Sequence, residues 1–293
     1  LHGNRLSAGV LFALSWLLEV LSALGAGAVP KFEKHQQQGG RGRDVTLGAG
    51  AAAIVDNSVD RNSNDPRPVL IVTGLVQEAR IAAGPGMIVI CSSSDPRQLR
   101  ALLATLDSTT FRGVISFGVA GGLDPSLKSG DVVVATEVLA GDTRFLAGLA
   151  LNEELIARAA LRRRRVVRGG LAGVEQVIAA AACKAALHLE TGAAAVDMES
   201  HIAAAYAAET GLPFAALRVI SDPASRALPA IAKNAIKPNG DIDLGKVLRG
   251  VARNPTSLRA LVSTGIDFNR ALRSLRGCRG FLHREDGLAA ANI

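Results

Sequence analysis

Two carboxylates frame one stretch of this chain. Val196-Asp197-Met198-Glu199-Ser200 places Glu199 at a helix start, and Arg218-Val219-Ile220-Ser221-Asp222 places Asp222 just past an apolar run. Between them Ala203 to Ala208 leads into the turn Gly211-Leu212-Pro213, so the unit reads strand–helix–strand. In a parallel α/β sheet the carboxyl ends of neighbouring strands open on one crevice. That arrangement points Glu199 and Asp222 into the same pocket. One can accept hydrogen bonds from hydroxyls and the other can hold a proton, which is chemistry for a sugar and a base that leaves it.

The elements that must position them begin at Pro68. Val69-Leu70-Ile71-Val72 is a short apolar run bounded by Pro68 and Gly74, the mark of a buried parallel strand, and Met87 to Cys91 is a second. Pro96 opens a helix predicted to run through Leu106, since proline is tolerated in a first turn. Gly113 to Phe117, Asp131 to Thr136, Val166 to Arg168, Ala194 to Met198 and Phe214 to Ile220 read as further strands. Asn152 caps a predicted helix through Leu161, with Glu153 and Glu154 in its first turn. After Asp222 the segments 225–236, 244–253 and 255–275 read as helices. Alternation of this kind implies a three-layer α/β/α sandwich around a mixed, mostly parallel sheet.

With 293 residues the chain can bury a full-sized core. It is 48% hydrophobic but only 3% aromatic, so that core is made of Ala, Val, Leu and Ile. Few aromatics also argue against a nucleic-acid partner bound by base stacking. The net charge of +7 concentrates in Arg162-Arg163-Arg164-Arg165 and between Arg249 and Arg284. Such runs are solvated faces in most proteins, with attraction to an anionic membrane surface as the first alternative and nucleic acid behind it. Cys91, Cys183 and Cys278 have no paired or metal-ligand spacing. They are expected to be reduced, mostly buried thiols of a cytoplasmic protein, with no metal or other cofactor.

Residues 1–66 differ from the rest. Leu6 to Val29 is apolar, interrupted by Glu19, and resembles a secretory signal or a poor membrane span, but the charge inside the apolar run favours a non-native or dispensable extension over an anchor or signal. The stretches Gln36 to Arg43 and Asn57 to Pro68 are rich in polar and turn-forming residues and are expected to be disordered. The division expected is an extension over 1–66, a single domain over 67–276 and a flexible tail over 277–293.

Four motifs follow one another in order: Gly74-Leu75-Val76-Gln77-Glu78-Ala79; Gly118-Val119-Ala120-Gly121-Gly122-Leu123 with Gly130-Asp131-Val132-Val133-Val134; Val196-Asp197-Met198-Glu199; and Arg218-Val219-Ile220-Ser221-Asp222. The glycine-bearing turn is neither a P-loop, lacking Gly-Lys-Ser/Thr, nor a dinucleotide fingerprint, because Leu123-Asp124-Pro125 prevents immediate entry into a helix. Together the motifs resemble the nucleoside phosphorylase and nucleosidase superfamily over about residues 68–225, and most closely its methylthioadenosine/S-adenosylhomocysteine nucleosidases. The run Glu78 to Gly86 and the Arg-rich tail resemble the hopanoid-biosynthesis branch, taken to release adenine from adenosylhopane.

The resemblance implies roles position by position. Glu78 is the general base that activates water, and Arg218 helps to hold that water. Met198 packs under the ribose and Glu199 binds its hydroxyls. Val119, Ala120 and Gly121 bring backbone close to the ligand. Asp222 protonates the purine at N7 with Ser221 orienting it. Chemically, a ribosyl cation forms as the glycosidic bond breaks, and carboxylates near the sugar stabilise it. A carboxylic acid kept protonated by an apolar strand end lets the base leave neutral. Each residue also has a plainer reading: Glu78 as a complement to a helix dipole, Asp222 as a helix cap. His188 and His201 lack partners at metal spacing, and His201 stands where relatives carry a small residue, at the border of the pocket.

The nucleophile is open to argument too. Phosphorolytic relatives carry an arginine where this chain has Ser116, and a Ser or Thr where it has Val119. A phosphate dianion calls for such fixed positive charge. Its absence favours water, with phosphorolysis through Arg80 or Arg97, or a silent nucleoside-binding module, as alternatives. Val119 also replaces a serine that positions water in nucleosidases, and Ser92-Ser93-Ser94-Asp95 stands where relatives have glycines. The family implies a homodimer or larger assembly. A small-molecule nucleoside linked to a triterpenoid would need an apolar channel, with basic C-terminal helices contacting the membrane surface.

Overall fold

The computed structural model describes residues 53–56, 65–148, 165–228 and 258–282. Among these residues nine strands form one mixed sheet. They are β1 (Ala53–Asp56), β2 (Val69–Thr73), β3 (Met87–Cys91), β4 (Gly113–Gly122), β5 (Val132–Ala140), β6 (Thr143–Leu146), β7 (Val166–Gly173), β8 (Ala195–Asp197) and β9 (Phe214–Asp222). The described helices are α1 (Val76–Ala82), α2 (Pro96–Leu103), α3 (Ala181–Thr191), α4 (Ser200–Thr210) and α5 (Leu258–Leu282). Six of the strand pairings are parallel and three antiparallel. Because β9 pairs with both β4 and β5, the strands β4, β9, β5, β7 and β8 close into a ring.

The layers follow from strand alternation. On β9, Phe214 and Ala216 face a core that includes Leu99 and Leu103 of α2 and Ile202, Ala203 and Ala207 of α4. Ala215, Leu217 and Val219 face the other way, onto Ile81 of α1 and Ala271, Leu272 and Leu275 of α5. Helices thus cover both faces, and the core is aliphatic apart from a few phenylalanines. Arg218 occupies a position on the first of these faces where the alternation calls for an apolar side chain, and it is fully buried.

Several elements differ from the sequence reading. β4 and β9 run on to Gly122 and Asp222, so the motif residues belong to the strands themselves. α2 stops at Leu103, after a start fixed by Asp95, which accepts from Arg97 N (2.9 Å) and Gln98 N (3.4 Å). α3 and β6 were not anticipated. Ala53–Asp56, placed in the extension by the sequence reading, pairs in parallel with β6, and α5 continues past 276 to Leu282. Cys278 is buried, but Cys91 is only half-buried and Cys183 is exposed. No described helix is long and apolar enough to cross a membrane. The apolar stretch Leu6 to Val29, the helix expected after Asn152, the helix expected over 244–253 and all but the start of that expected over 225–236 lie outside the described residues; residues 225–228 are not helical.

The strand–helix–strand unit is real but not parallel. β8 runs antiparallel to β4, whereas β9 runs parallel to it. β8 therefore travels back along the carboxyl end of β4, with Val196 beside Gly121, and delivers Asp197 and Glu199 towards Gly118.

Candidate active site

Glu78 is the third residue of α1, where a carboxylate meets the helix N-terminus. Leu75 at the cap offers no side-chain acceptor, so Glu78 reaches back: its Oε2 accepts from Gly74 N and Leu75 N, both at 2.9 Å. The other oxygen, Oε1, accepts from Val119 N at 2.8 Å, across from β4. Of about four lone-pair sites on a carboxylate, one is left for a further donor. The plain capping role and a chemical role are therefore compatible. Burial pushes the Glu78 carboxyl above its usual range, against the pull of Arg218 and the three N–H groups.

Arg218 is held from several sides. Its Nε lies 2.9 Å from Asp197 Oδ2, and Nη2 lies 3.6 Å from Glu199 Oε2. Nη2 also donates to Ser116 Oγ at 2.6 Å, and Nη1 to the Val119 carbonyl at 3.4 Å. Asp197 in turn starts α4, its Oδ1 accepting from Glu199 N (3.0 Å) and Ser200 N (2.7 Å). Glu199 receives the Ser92 hydroxyl at 3.3 Å. Burial lifts Glu199 from the ordinary 4.5 to about 7, with Arg218 opposing and the charges of Asp197 and Glu78 adding to the rise.

Two glycines make this crowding possible. A Cβ on Gly118 would lie 2.5 Å from Arg218 Nη1 and 2.7 Å from Glu78 Cδ. One on Gly74 would lie 2.6 Å from Glu199 Oε1. Neither position tolerates a side chain without displacing a buried, bonded charge.

Asp222 lies at the other end of the glycine-bearing stretch. Between Ala120 and Gly121 the register slips, Gly121 pairing with Asp222 and leaving Ser221 as the extra residue of a bulge. Such bulges re-aim side chains beside active sites. Asp222 Oδ2 would lie 3.4 Å from a Cβ on Gly121. Glu78 and Asp222 thus approach β4 at Gly118 and Gly121, ~10 Å apart along the strand at a rise of about 3.3 Å per residue. Ser221 Oγ is 2.6 Å from Asp222 Oδ1 and 3.1 Å from the Ala120 carbonyl.

The apolar surrounding expected for Asp222 is not what the fold provides. The ammonium of Lys184, fully buried on α3, donates to Asp222 Oδ2 and to the carbonyls of Pro223 (3.3 Å) and Arg226 (3.1 Å). Sequence reasoning missed this residue and left Asp197 and Ser116 without roles. A lone cation inside the apolar run Val177 to Leu189 was the available signal, because a buried charge needs a partner. Met198 is half-buried between Asp197 and Glu199. His201 packs on Gly173 and its Nε2 lies 3.0 Å from Glu175 Oε1, which Arg100 also holds, so it ties α4 to α2 and the segment after β7. His188 Nδ1 lies 2.9 Å from the Ala193 carbonyl at the end of α3. Among the described residues no cluster of His, Cys, Asp and Glu has metal-binding geometry.

Comparisons with known proteins agree with this architecture. The structure resembles the 5′-methylthioadenosine/S-adenosylhomocysteine nucleosidase of Helicobacter pylori bound to butyl-thio-DADMe-Immucillin-A, with a TM-score of 0.53 and 19% identity over 74% of this chain and 96% of that one. It resembles the same enzyme complexed with a pyrrolidine that carries a 4-amino-5H-pyrrolo[3,2-d]pyrimidine, with a TM-score of 0.51 and 20% identity over 64% and 98% of the two chains. The futalosine hydrolase of Helicobacter pylori gives a TM-score of 0.51 and 19% identity over 69% and 97%. No curated protein matches the sequence. The sequence matches the Phosphorylase superfamily over residues 48–241, more than half of its length, and the chain belongs to that superfamily.

Proposed function

We propose that this chain hydrolyses the N-glycosidic bond of an adenine nucleoside carrying a bulky 5′ substituent, adenosylhopane being the substrate that the sequence resemblance favours. The observation that carries the reading is the pair of buried acidic centres meeting β4 at Gly118 and Gly121. Glu78, with one lone-pair site to spare, takes a proton from the attacking water. Arg218 holds Glu199 and Asp197 in place, and Glu199 accepts the ribose hydroxyls above Met198. The excess of carboxylates over cations at this end stabilises the ribosyl cation as it forms. Val119, Ala120 and Gly121 line the linkage, and Asp222 with Ser221 delivers a proton to N7 of the departing base.

Water is favoured over phosphate because the cation beside Glu78 is already engaged. Ser116, at the position of the phosphorolytic arginine, turns its hydroxyl to Arg218, whose N–H groups are directed to Asp197, Ser116, Ser200 and Glu199. Free adenine measured with and without inorganic phosphate tests the reading. Release without phosphate is expected. Release only with phosphate would make the chain a phosphorylase, and no release would make it a nucleoside-binding module.

The proposal extends to a cytoplasmic homodimer or larger assembly in peripheral contact with a membrane. Arg270, Arg273, Arg276 and Arg279 are exposed on α5, opposite the face that packs Ala271, Leu272 and Leu275. That stripe suits anionic headgroups. Co-sedimentation with anionic vesicles that weakens with salt is expected; absence from vesicles at low salt would remove this part.

A further inference from the structure

Lys184 has a more particular place than a buried counter-ion requires. An ammonium carries three N–H donors, and its acceptors are Asp222 Oδ2 and the carbonyls of Pro223 and Arg226. The carboxylate and the chain that follows it are thereby gripped by one atom. Leu228 N then donates to the Ala179 carbonyl at 2.9 Å, tying that chain back to the segment preceding α3. Lys184 is the buried residue of α3, and a charge there costs several kcal/mol unless paired.

The other carboxylate oxygen is placed differently. Ser221 Oγ sits between Asp222 Oδ1 and the Ala120 carbonyl, at 2.6 and 3.1 Å. A hydroxyl has a single hydrogen. Given to Oδ1, it serves an ionised Asp222. Given to Ala120, it leaves Oγ free to accept a proton carried on Oδ1. Ser221 therefore accommodates both states of Oδ1, while Oδ2 stays committed to Lys184.

Resting on the nucleosidase reading above, we propose that Lys184 is the positioning residue for proton delivery to the leaving base. It confines the transferable proton to Oδ1 and neutralises the carboxylate that transfer leaves behind. As the bond between C1′ and N9 breaks, its electron pair passes to the purine. The Oδ1 proton moves to N7, and the base departs neutral. The water oxygen adds to C1′ and gives its proton to Glu78; both acids then re-equilibrate with solvent. Negative charge grows on Asp222 only as the proton leaves, so a fixed ammonium stabilises the transition state over the ground state.

The test compares two leaving groups in Lys184→Met. An adenine nucleoside needs the proton; p-nitrophenyl β-D-ribofuranoside does not. We expect kcat for adenine release to fall about 100-fold, with KM and the p-nitrophenyl rate each within about threefold. Parallel loss on both substrates would show a merely structural staple, and retention of both would show no role; either overturns the proposal. Should Lys184→Met not fold, Lys184→Arg keeps the charge but alters its reach, and the same selective loss is expected. Binding of 9-deazaadenosine, which presents an N–H at the N7 position, gives a readout without turnover. Asp222 held by Lys184 accepts that N–H, so the variant should bind about tenfold more weakly; unchanged affinity overturns the proposal. Wild-type protein that neither binds this ligand nor releases adenine overturns the functional reading and this inference with it. Wild-type activity with unselective variants overturns the inference alone.

Discussion

The two acidic centres follow opposite electrostatic plans. Around Arg218 the carboxylates of Asp197, Glu199 and Glu78 share one guanidinium, and burial answers the surplus by raising Glu199 to about 7 and lifting Glu78 above its usual range. Around Asp222 a single carboxyl group meets a single ammonium, whose charge balances the carboxylate that proton transfer would leave. A centre with surplus negative charge suits a cation that forms beside it during reaction. A balanced one suits a single carboxylate whose angle and proton matter more than its field. Stabilising developing charge and transferring a proton place different demands on buried groups, and under the proposed function the two centres divide those tasks between separate points along β4.

Breaking the surplus centre should have the largest effect. Arg218→Met strands its carboxylates in the core, and loss of one partner of a buried pair costs about 3–5 kcal/mol. Chemical denaturation should show that loss; a variant within about 1 kcal/mol of wild type would mean the cluster holds together without its cation. Gly118→Ala is expected to cost about 1–3 kcal/mol, because the new methyl meets Arg218 and Glu78 and neither can swing away. A melting temperature equal to wild type would show that the crowding is softer than described.

A smaller effect separates the centres by pH. Glu199 rises from 4.5 to about 7 on folding, so the folded state holds more protons in that window. Its contribution to stability is therefore fully present below about 4.5 and is lost as the pH climbs through about 7. Glu78, also raised, acts in the same direction. Melting temperature should fall between about pH 5 and 7, and Glu199→Gln should flatten that slope. An unchanged slope in the variant would assign the titration elsewhere. In the proposed reaction Glu199 accepts ribose hydroxyls in its ionised form, so kcat/KM is expected to rise over the same window.

Much of this was legible in the sequence, and what was not has physical reasons. The run Val69 to Val72 announces a strand because it is almost wholly buried, and Met87 to Cys91 does so although it is mostly half-buried. The motif order put forward Glu78, Glu199, Arg218 and Asp222 together; the fold gathers the first three around one guanidinium and sets Asp222 apart at Gly121. β6 escaped because Thr143–Leu146 is too short to show a period. α3 escaped because an alanine-rich helix has little apolar contrast, and Lys184 went with it. The antiparallel course of β8 is likewise invisible locally, since only its pairing with Gly121 and Gly122 reveals its direction. Asp197 was in plain view, yet its double task of starting α4 and holding Arg218 depends on β9 lying alongside.

The most direct test of the account replaces Asp222 by Asn and follows adenine release and nucleoside binding together. Asn keeps the shape but cannot supply the proton, so turnover should fall by about 10²–10⁴-fold while affinity for the nucleoside, set at the Glu199 end, stays close to wild type. An Asp222→Asn protein that releases adenine at near wild-type rates would contradict the division of labour between the two centres.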